Sequence, residues 1–239
     1  MKKLSIILVS LVIIMEAFAG SKTPAQQLIK RLVKLQKKGV MVGHQDDPVY
    51  GTTWKWDKGR SDVKDVCGEY PAVMGFELGA LELDSTKNLD GVPFDRMRDE
   101  IVAQYNRGGI ITISWHPYNP VTGKNAWDTS GTPLKEIFLG GSQYQKFKSW
   151  LGKVATFLNS LKTADGKKIP IIFRPWHEMT GGWFWWGRNS CTSEEYKKLF
   201  EYTIKTLRGL GVDNAVICYS PGADSKETET SYMTYYPGD

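Results

Sequence analysis

The chain alternates short apolar segments with longer segments of helical periodicity, and this alternation restricts the folds open to it. Strand patterns lie at 40–42, 72–76, 110–116, 171–175 and 215–219. The segments between them carry helical stripes, the clearest of which runs from 142 to 161. No Pro- or Ser-rich linker and no short-period repeat interrupts the alternation. The pattern therefore predicts a parallel sheet within one α/β domain.

Two architectures fit such a sheet, an open doubly wound sheet and a closed barrel. The first strand is followed by the sequence GHQDD at 43–47, which matches neither glycine-rich phosphate-binding pattern. Polar and aromatic residues instead cluster after the carboxyl ends of strands one, three, four and five. A (β/α)8 TIM barrel assembles its active site at these positions. We predict such a barrel, of which about the first five β–α units are present.

Composition excludes few function classes but argues against a nucleic-acid partner. The 239 residues are 41% hydrophobic and 24% charged, as in an ordinary globular protein. The formal net charge of +5 is spread along the chain. Its densest basic run, 30–38, alternates with leucines at helical spacing. We interpret this run as the solvated face of an amphipathic helix and expect no nucleic-acid binding.

The amino terminus has the pattern of a secretory signal peptide. Lys2 and Lys3 precede an apolar run at 4–15, and Ala17-Phe18-Ala19 resembles a cleavage site. We predict a signal peptide at 1–19, a single catalytic domain at 20–239 and a secreted or periplasmic protein with no membrane attachment after cleavage. An uncleaved anchoring helix is the alternative. Export permits one disulfide, but the sequence does not choose among the three cysteines or exclude free thiols: Cys67, Cys191 and Cys218.

The segment FRPWHEMTGGWFWWG at 173–187 is the sharpest candidate for chemistry. Strand alternation puts Arg174, Trp176 and Glu178 on one side. A carboxyl among indole rings keeps its proton to higher pH, as a general acid near neutrality requires. Indole faces also stack on pyranose rings, so this pattern favours a saccharide cleft. The alternative is a structural Arg174–Glu178 ion pair in an aromatic core.

All three histidines of the chain lie at predicted carboxyl ends of strands. They are His44, His116 and His177. We predict that they belong to one site. A three-histidine zinc centre fits the same convergence, but no HExxH or other local ligand pair supports it, and we expect neither metal nor cofactor. Ser220-Pro221-Gly222 is not a nucleophile elbow.

Six segments, in this order, resemble glycoside hydrolase family 26, the endo-β-1,4-mannanases. They are GHQ (43–45), YPAVMGFELGALELD (70–84), SWHPYNP (114–120), FRPWHEMTGGWFWWG (173–187), YSPGAD (219–224) and YYPGD (235–239). The resemblance extends from about residue 30 to residue 239. It implies a (β/α)8 barrel with two catalytic glutamates, one after strand four and one after strand seven, that hydrolyses β-mannan with retention.

The resemblance also assigns site residues. It implies that Glu178 is the general acid/base and that His116, His177 and Trp183 contact the glycone sugars. Further substrate-binding positions are Trp127, His44, Arg174 and Tyr219, and the aromatic segment adds Trp176.

The second catalytic carboxylate has no counterpart in this sequence. Retaining hydrolysis needs a nucleophile roughly 5–5.5 Å from the acid, and the family carries it downstream of the YPGD motif. Glu77, Glu82 and Asp224 do not match its motif. We therefore expect a C-terminally truncated mannanase whose nucleophile lies beyond Asp239, inactive as this chain alone and monomeric as the complete enzyme.

Two other functions remain open at this stage. The same scaffold can act on another polysaccharide, such as β-1,3-xylan or a mixed-linkage β-glucan. The chain can also be a non-catalytic carbohydrate-binding remnant.

Overall fold

The computed structural model of the chain describes residues 22–223 and 229–238. The predicted signal peptide, Asp224 and Asp239 lie outside these residues.

Five parallel strands form one sheet, and they follow one another in the order of the chain. They are β1 (Gly43–Gln45), β2 (Val73–Glu77), β3 (Ile110–Trp115), β4 (Ile171–Pro175) and β5 (Ala215–Ile217). Every neighbouring pair is parallel. The predicted α/β fold with a parallel sheet is therefore confirmed. The sequential order lacks the reversal that marks a doubly wound sheet.

Seven helices connect or flank the strands of the described chain. They are α1 (Pro24–Leu35), α2 (Asp62–Cys67), α3 (Phe94–Asn106), α4 (Pro133–Glu136), α5 (Tyr144–Ser160), α6 (Ser193–Gly209) and α7 (Glu229–Tyr235). The predicted capping box begins α6, because the Thr192 hydroxyl accepts the Glu195 N–H while the Glu195 carboxylate accepts the Thr192 N–H. The short helices α2, α4 and α7 were not predicted, since each is too short to show a periodic stripe.

The hydrophobic core lies on one face of the sheet, between the strands and the helices. Along β3, Ile111, Ile113 and Trp115 are buried in this core, as their alternation predicts. Met97 of α3 and Phe147 of α5 belong to the same core. The opposite face carries the polar residues of the strands, and several of them form part of the candidate site.

The first strand does not lie where the apolar run predicts it. Residues 40–42 have no regular structure, and the strand is Gly43–Gln45. Val40 is 97% and Val42 is 67% exposed. Among the described residues β1 pairs with β2 alone, and the pairing begins where the Val73 N–H donates to the Val42 carbonyl. An edge strand covers few of its side chains, so apolar character did not locate it here.

All three cysteines are free thiols, so the fold does not form the disulfide that export would permit. Cys67 is exposed, whereas Cys191 and Cys218 are half-buried. In the part of the chain that the structure describes, no helix is both long and apolar enough to cross a bilayer.

Candidate active site

The candidate site lies at the carboxyl ends of β2, β3 and β4. The register pairs Glu77 with Ser114 and Ser114 with Arg174, so these side chains share the face opposite the core. His116 follows β3 directly, and His177 lies two residues after β4. The sheet thus brings together residues that are widely separated in the sequence.

Glu77 is the buried centre of this cluster. Its Oε1 atom accepts the backbone N–H groups of Gly79 (2.6 Å) and His116 (2.7 Å). Its Oε2 atom accepts the Ser114 hydroxyl and contacts His116 Nδ1 at 2.8 Å. Burial by itself raises the pKa of this carboxyl, but the hydrogen bonds and charge of His116, together with the Ser114 hydroxyl, bring the pKa below its usual value. Glu77 is therefore an ionised acceptor.

The two histidines contact each other through their imidazole rings. His116 Nε2 and His177 Nε2 are 3.0 Å apart, so both ring nitrogens of His116 have partners. His177 is almost fully buried, and its Nδ1 atom has no hydrogen-bond partner. Burial, followed by repulsion from His116, lowers the pKa of His177 to about 4. His177 is therefore a neutral imidazole near neutral pH.

Glu178 reaches the site because the backbone leaves its strand conformation before it. Trp176 (φ 54°) and Glu178 (φ 56°) both lie in the left-handed region, which is unfavourable for residues with a Cβ. The Glu178 N–H donates to the Ser220 carbonyl at 2.7 Å, which ties this turn to the segment after β5. The half-buried Glu178 carboxylate accepts the Trp183 indole N–H at 3.3 Å. A cavity of about 160 Å³ adjoins this pair.

Two exposed indoles flank the histidines and Glu178. Trp127 is 49% and Trp183 is 47% exposed. The Trp127 ring stacks on His116 with centroids 5.3 Å apart and an interplanar angle of 10°. The buried Phe184 ring contacts both indoles, with its centroid 5.4 Å from Trp127 and 6.2 Å from Trp183. The result is an aromatic wall of the kind that binds sugar rings.

Trp176 does not contribute to this wall, contrary to the sequence-based prediction. It is fully buried, and its indole packs 5.2 Å from the Trp115 ring and donates to the Thr203 hydroxyl of α6. The positive φ at residue 176 breaks the strand alternation from which its side was predicted. Trp185 and Trp186 of the same segment are also fully buried, so they do not belong to the exposed wall. We therefore remove Trp176 from the predicted substrate contacts.

Arg174 lies on the site face, but its partner is not the predicted one. Its guanidinium donates to Ser220 Oγ from Nε (3.3 Å) and from an Nη atom (3.1 Å). The ion pairs of the described residues do not include Arg174 and Glu178. The alternative of a structural Arg174–Glu178 pair is therefore not what the fold forms.

The side chains of two further predicted contacts have other surroundings than the histidine cluster. His44 pairs in register with Met74, whose side chain is in the core, so His44 lies on the opposite sheet face from Glu77. The Tyr219 ring packs against α6 residues, and its hydroxyl donates to the Tyr232 carbonyl at 2.5 Å. Burial raises the pKa of Tyr219 to about 12. His44 therefore lies away from the site face, whereas Tyr219 directly precedes Ser220, whose carbonyl accepts the Glu178 N–H.

Sequence reasoning missed the contact of Glu77 with His116 and the burial of a second carboxyl, Asp46. Glu77 was considered only as a substitute nucleophile, although its place at the end of β2 beside the end of β3 was a usable signal. Asp46 follows β1 and is fully buried. Burial, then repulsion from Asp90 and Glu77, raises the pKa of Asp46 to about 7. In the described residues no cluster of three or more histidine, cysteine or acidic side chains has the arrangement of a metal site.

Comparisons with known proteins agree with this geometry. The family model described as glycosyl hydrolase family 26 matches residues 19–239. A GH26 beta-mannanase from Bacteroides ovatus superposes with a TM-score of 0.87 at 49% identity, over 91% of this chain and 63% of that protein. A modular endo-beta-1,4-mannanase from Cellulomonas fimi superposes with a TM-score of 0.81 at 31% identity, over 92% of this chain and 51% of that protein.

One further relative is similar to this chain by sequence comparison. The mannan endo-1,4-beta-mannosidase of Bifidobacterium adolescentis is 36% identical over 185 residues, which are 75% of this chain and 18% of that protein. The chain thus spans less than two thirds of each of these three relatives. Because the family model covers nearly the whole sequence, the chain belongs to glycosyl hydrolase family 26.

Proposed function

We propose that the chain carries the acid/base side of the active site of a retaining mannan endo-1,4-β-mannosidase, with Glu178 as the general acid/base. The observation that carries the proposal is the Glu178 carboxylate held by the Trp183 indole N–H, beside an exposed aromatic wall at the carboxyl edge of a parallel sheet. The relatives named as mannanases support a β-1,4-mannan, galactomannan or glucomannan backbone as the substrate.

The contacts of Glu178 suggest how it holds its proton. The Trp183 N–H donates to Oε2, so a proton carried by the carboxyl sits on Oε1. Glu178 gives this proton to the glycosidic oxygen as the bond to the leaving sugar breaks. A second carboxylate attacks the anomeric carbon, and Glu178 then takes a proton from the water that hydrolyses the glycosyl–enzyme intermediate. We expect that second carboxylate beyond Asp239, so the 239 residues alone are expected to be inactive.

The architecture that we propose is the first five units of a (β/α)8 barrel. The sequential strand order and the site at the carboxyl ends of the strands support it. A barrel interior then faces Glu77, Ser114 and Arg174. We further propose cleavage of the signal peptide at 1–19, a secreted or periplasmic enzyme that is monomeric when complete, and no nucleic-acid or membrane partner.

The side chains that contact the sugar are proposed from their exposure and from the groups that they offer. The Trp127 and Trp183 faces stack on sugar rings, and the half-buried Arg174 offers donors to hydroxyl groups. The imidazoles of His116 and His177 border the glycone side. One relative at 30% identity is named Endoglucanase H, of Acetivibrio thermocellus, so a β-glucan is the second candidate substrate.

The test uses the complete gene product and its Glu178→Ala variant. We expect the wild-type enzyme to release oligosaccharides from mannan and to release fewer from mixed-linkage glucan. We expect Glu178→Ala to lose about 10²–10⁴-fold in mannan hydrolysis. With an activated aryl mannoside and azide, which needs no proton removed, the variant should form the β-mannosyl azide. Full mannan hydrolysis by Glu178→Ala would refute the assignment, and a preference for glucan would favour the second substrate.

A further inference from the structure

The hydrogen bonds of Glu77 determine which of its oxygens must remain an acceptor. Oε1 accepts two backbone N–H groups, those of Gly79 and His116, at 2.6 and 2.7 Å. A backbone N–H is always a donor, so the atom at this position can only accept. The other oxygen, Oε2, lies 2.8 Å from His116 Nδ1 and accepts the Ser114 hydroxyl.

These contacts define the protons on the two imidazoles. An ionised carboxylate accepts only, so His116 carries its proton on Nδ1, and in the neutral ring Nε2 has a lone pair. The 3.0 Å contact between the Nε2 atoms needs one proton, which then belongs to His177. His177 Nδ1 is left as a lone pair, and this buried atom has no hydrogen-bond partner.

We propose that Glu77 is a positioning residue that fixes the tautomers of His116 and His177. The His177 N–H and the His116 lone pair at the two Nε2 atoms are taken up by each other. His116 is thus held at both ring nitrogens, by Glu77 on one side and His177 on the other, while the Trp127 indole stacks on its face. The protonation pattern and the orientation of this imidazole beside the aromatic wall then originate in a buried carboxylate.

Replacing Glu77 by glutamine should reverse the whole relay. The amide oxygen must take the Oε1 position, because the Gly79 and His116 N–H groups require an acceptor there. The amide NH2 then faces His116 Nδ1 and donates to it, which moves the His116 proton to Nε2. His177 must in turn give up its Nε2 proton and become protonated on Nδ1.

The chain offers a matched control and an internal reference. Glu100 of α3 is also buried, and its Oε1 atom lies 2.8 Å from an Arg96 guanidinium nitrogen, so a glutamine at this position keeps an acceptor for that donor. The ion-pair partner of Glu100 is Arg96 and not a histidine. His44 is exposed on the other face of the sheet and reports any general effect on imidazole signals.

The experiment is long-range ¹H–¹⁵N correlation spectroscopy of the histidine rings in the complete gene product labelled with ¹⁵N-histidine, at pH 8. Signals are assigned by single histidine substitutions. We expect wild type and Glu100→Gln to show the Nδ1–H tautomer for His116 and the Nε2–H tautomer for His177. We expect Glu77→Gln to exchange both assignments and to leave His44 unchanged.

The wild-type spectrum tests the proposal even if Glu77→Gln does not fold. A His116 protonated on Nε2, or on both nitrogens, would overturn it, as would a folded Glu77→Gln variant with unchanged tautomers. The tautomer assignment does not depend on the proposed function. If wild type binds no mannotetraose while the tautomers are as expected, the proposed function fails and the tautomer assignment stands.

Discussion

Replacing Trp176 by phenylalanine separates a core role from a substrate role for this residue. The variant loses three side-chain ring atoms in a fully buried site and the hydrogen bond to Thr203. Two buried carbons contribute about 0.8 kcal/mol each, and a neutral hydrogen bond contributes about 1 kcal/mol. We therefore expect the free energy of unfolding to fall by about 2.5 kcal/mol, which is roughly 5–10 °C in Tm for a domain of this size.

The assay combines thermal unfolding with calorimetric binding of mannohexaose to the complete gene product. We expect Trp176→Phe to unfold at the lower temperature and to bind the oligosaccharide with unchanged affinity below that temperature. Thr203→Val is the matched control, because it keeps the indole but leaves its buried N–H without this partner and also removes the hydroxyl bond to the Leu199 carbonyl. It should lower the unfolding free energy by about 1–3 kcal/mol and leave oligosaccharide binding unchanged. An unchanged Tm with lost oligosaccharide binding would refute the core assignment and restore Trp176 to the cleft.

Three further predictions follow from other contacts. Trp127→Ala removes the exposed indole stacked on His116, so calorimetry should show about tenfold weaker mannohexaose binding with a Tm within 2 °C of wild type, roughly the effect of one lost aromatic contact; unchanged binding would contradict it. The Asp46 carboxyl keeps its proton to about pH 7 when folded but ionises near 3.8 when unfolded, so it costs stability as pH rises through this window, on the order of 4 kcal/mol. Asp46→Asn should therefore flatten the fall in urea-unfolding free energy between pH 4 and 8, and an unaltered pH slope would count against the raised pKa. Thr192→Ala removes the cap of α6 and should lower the unfolding free energy by about 1 kcal/mol in the same assay, whereas Thr192→Ser keeps the capping hydroxyl and should not lower it.

The strands that could be predicted well are those buried by neighbours on both sides. The segment 171–175 was predicted with the bounds that the structure gives to β4, and β3 was predicted to within one residue. Central strands of a parallel sheet read as continuous apolar runs, so their composition locates them. Residues 40–42 have the same composition, but they precede an edge strand, and composition carries no information about which strands lie at an edge.

Much of the candidate site could be predicted from the carboxyl ends of the strands, because parallel strands bring residues that are distant in sequence together at one edge of the sheet. This reasoning placed His116 and His177 at one edge of the sheet, where their Nε2 atoms are 3.0 Å apart. It failed for Trp176 and His44, whose sides depend on backbone geometry and register rather than on residue type. The positive φ values at Trp176 and Glu178 have no signal in a sequence of non-glycine residues. The relay through Glu77 was missed because it depends on which oxygen faces which donor.

The turn that carries Glu178 is held from three directions, and this has a consequence for the entropy of substrate binding. The Glu178 N–H donates to the Ser220 carbonyl, the Trp186 indole N–H donates to the His177 carbonyl, and the Trp185 indole N–H donates to the Pro117 carbonyl. These bonds join the segments that follow three different strands. The backbone that carries the carboxyl is therefore held in place when the protein folds, before any polysaccharide arrives. The conformational freedom lost on association then belongs mainly to the sugar chain, so shorter and stiffer oligosaccharides should bind with a smaller entropic penalty.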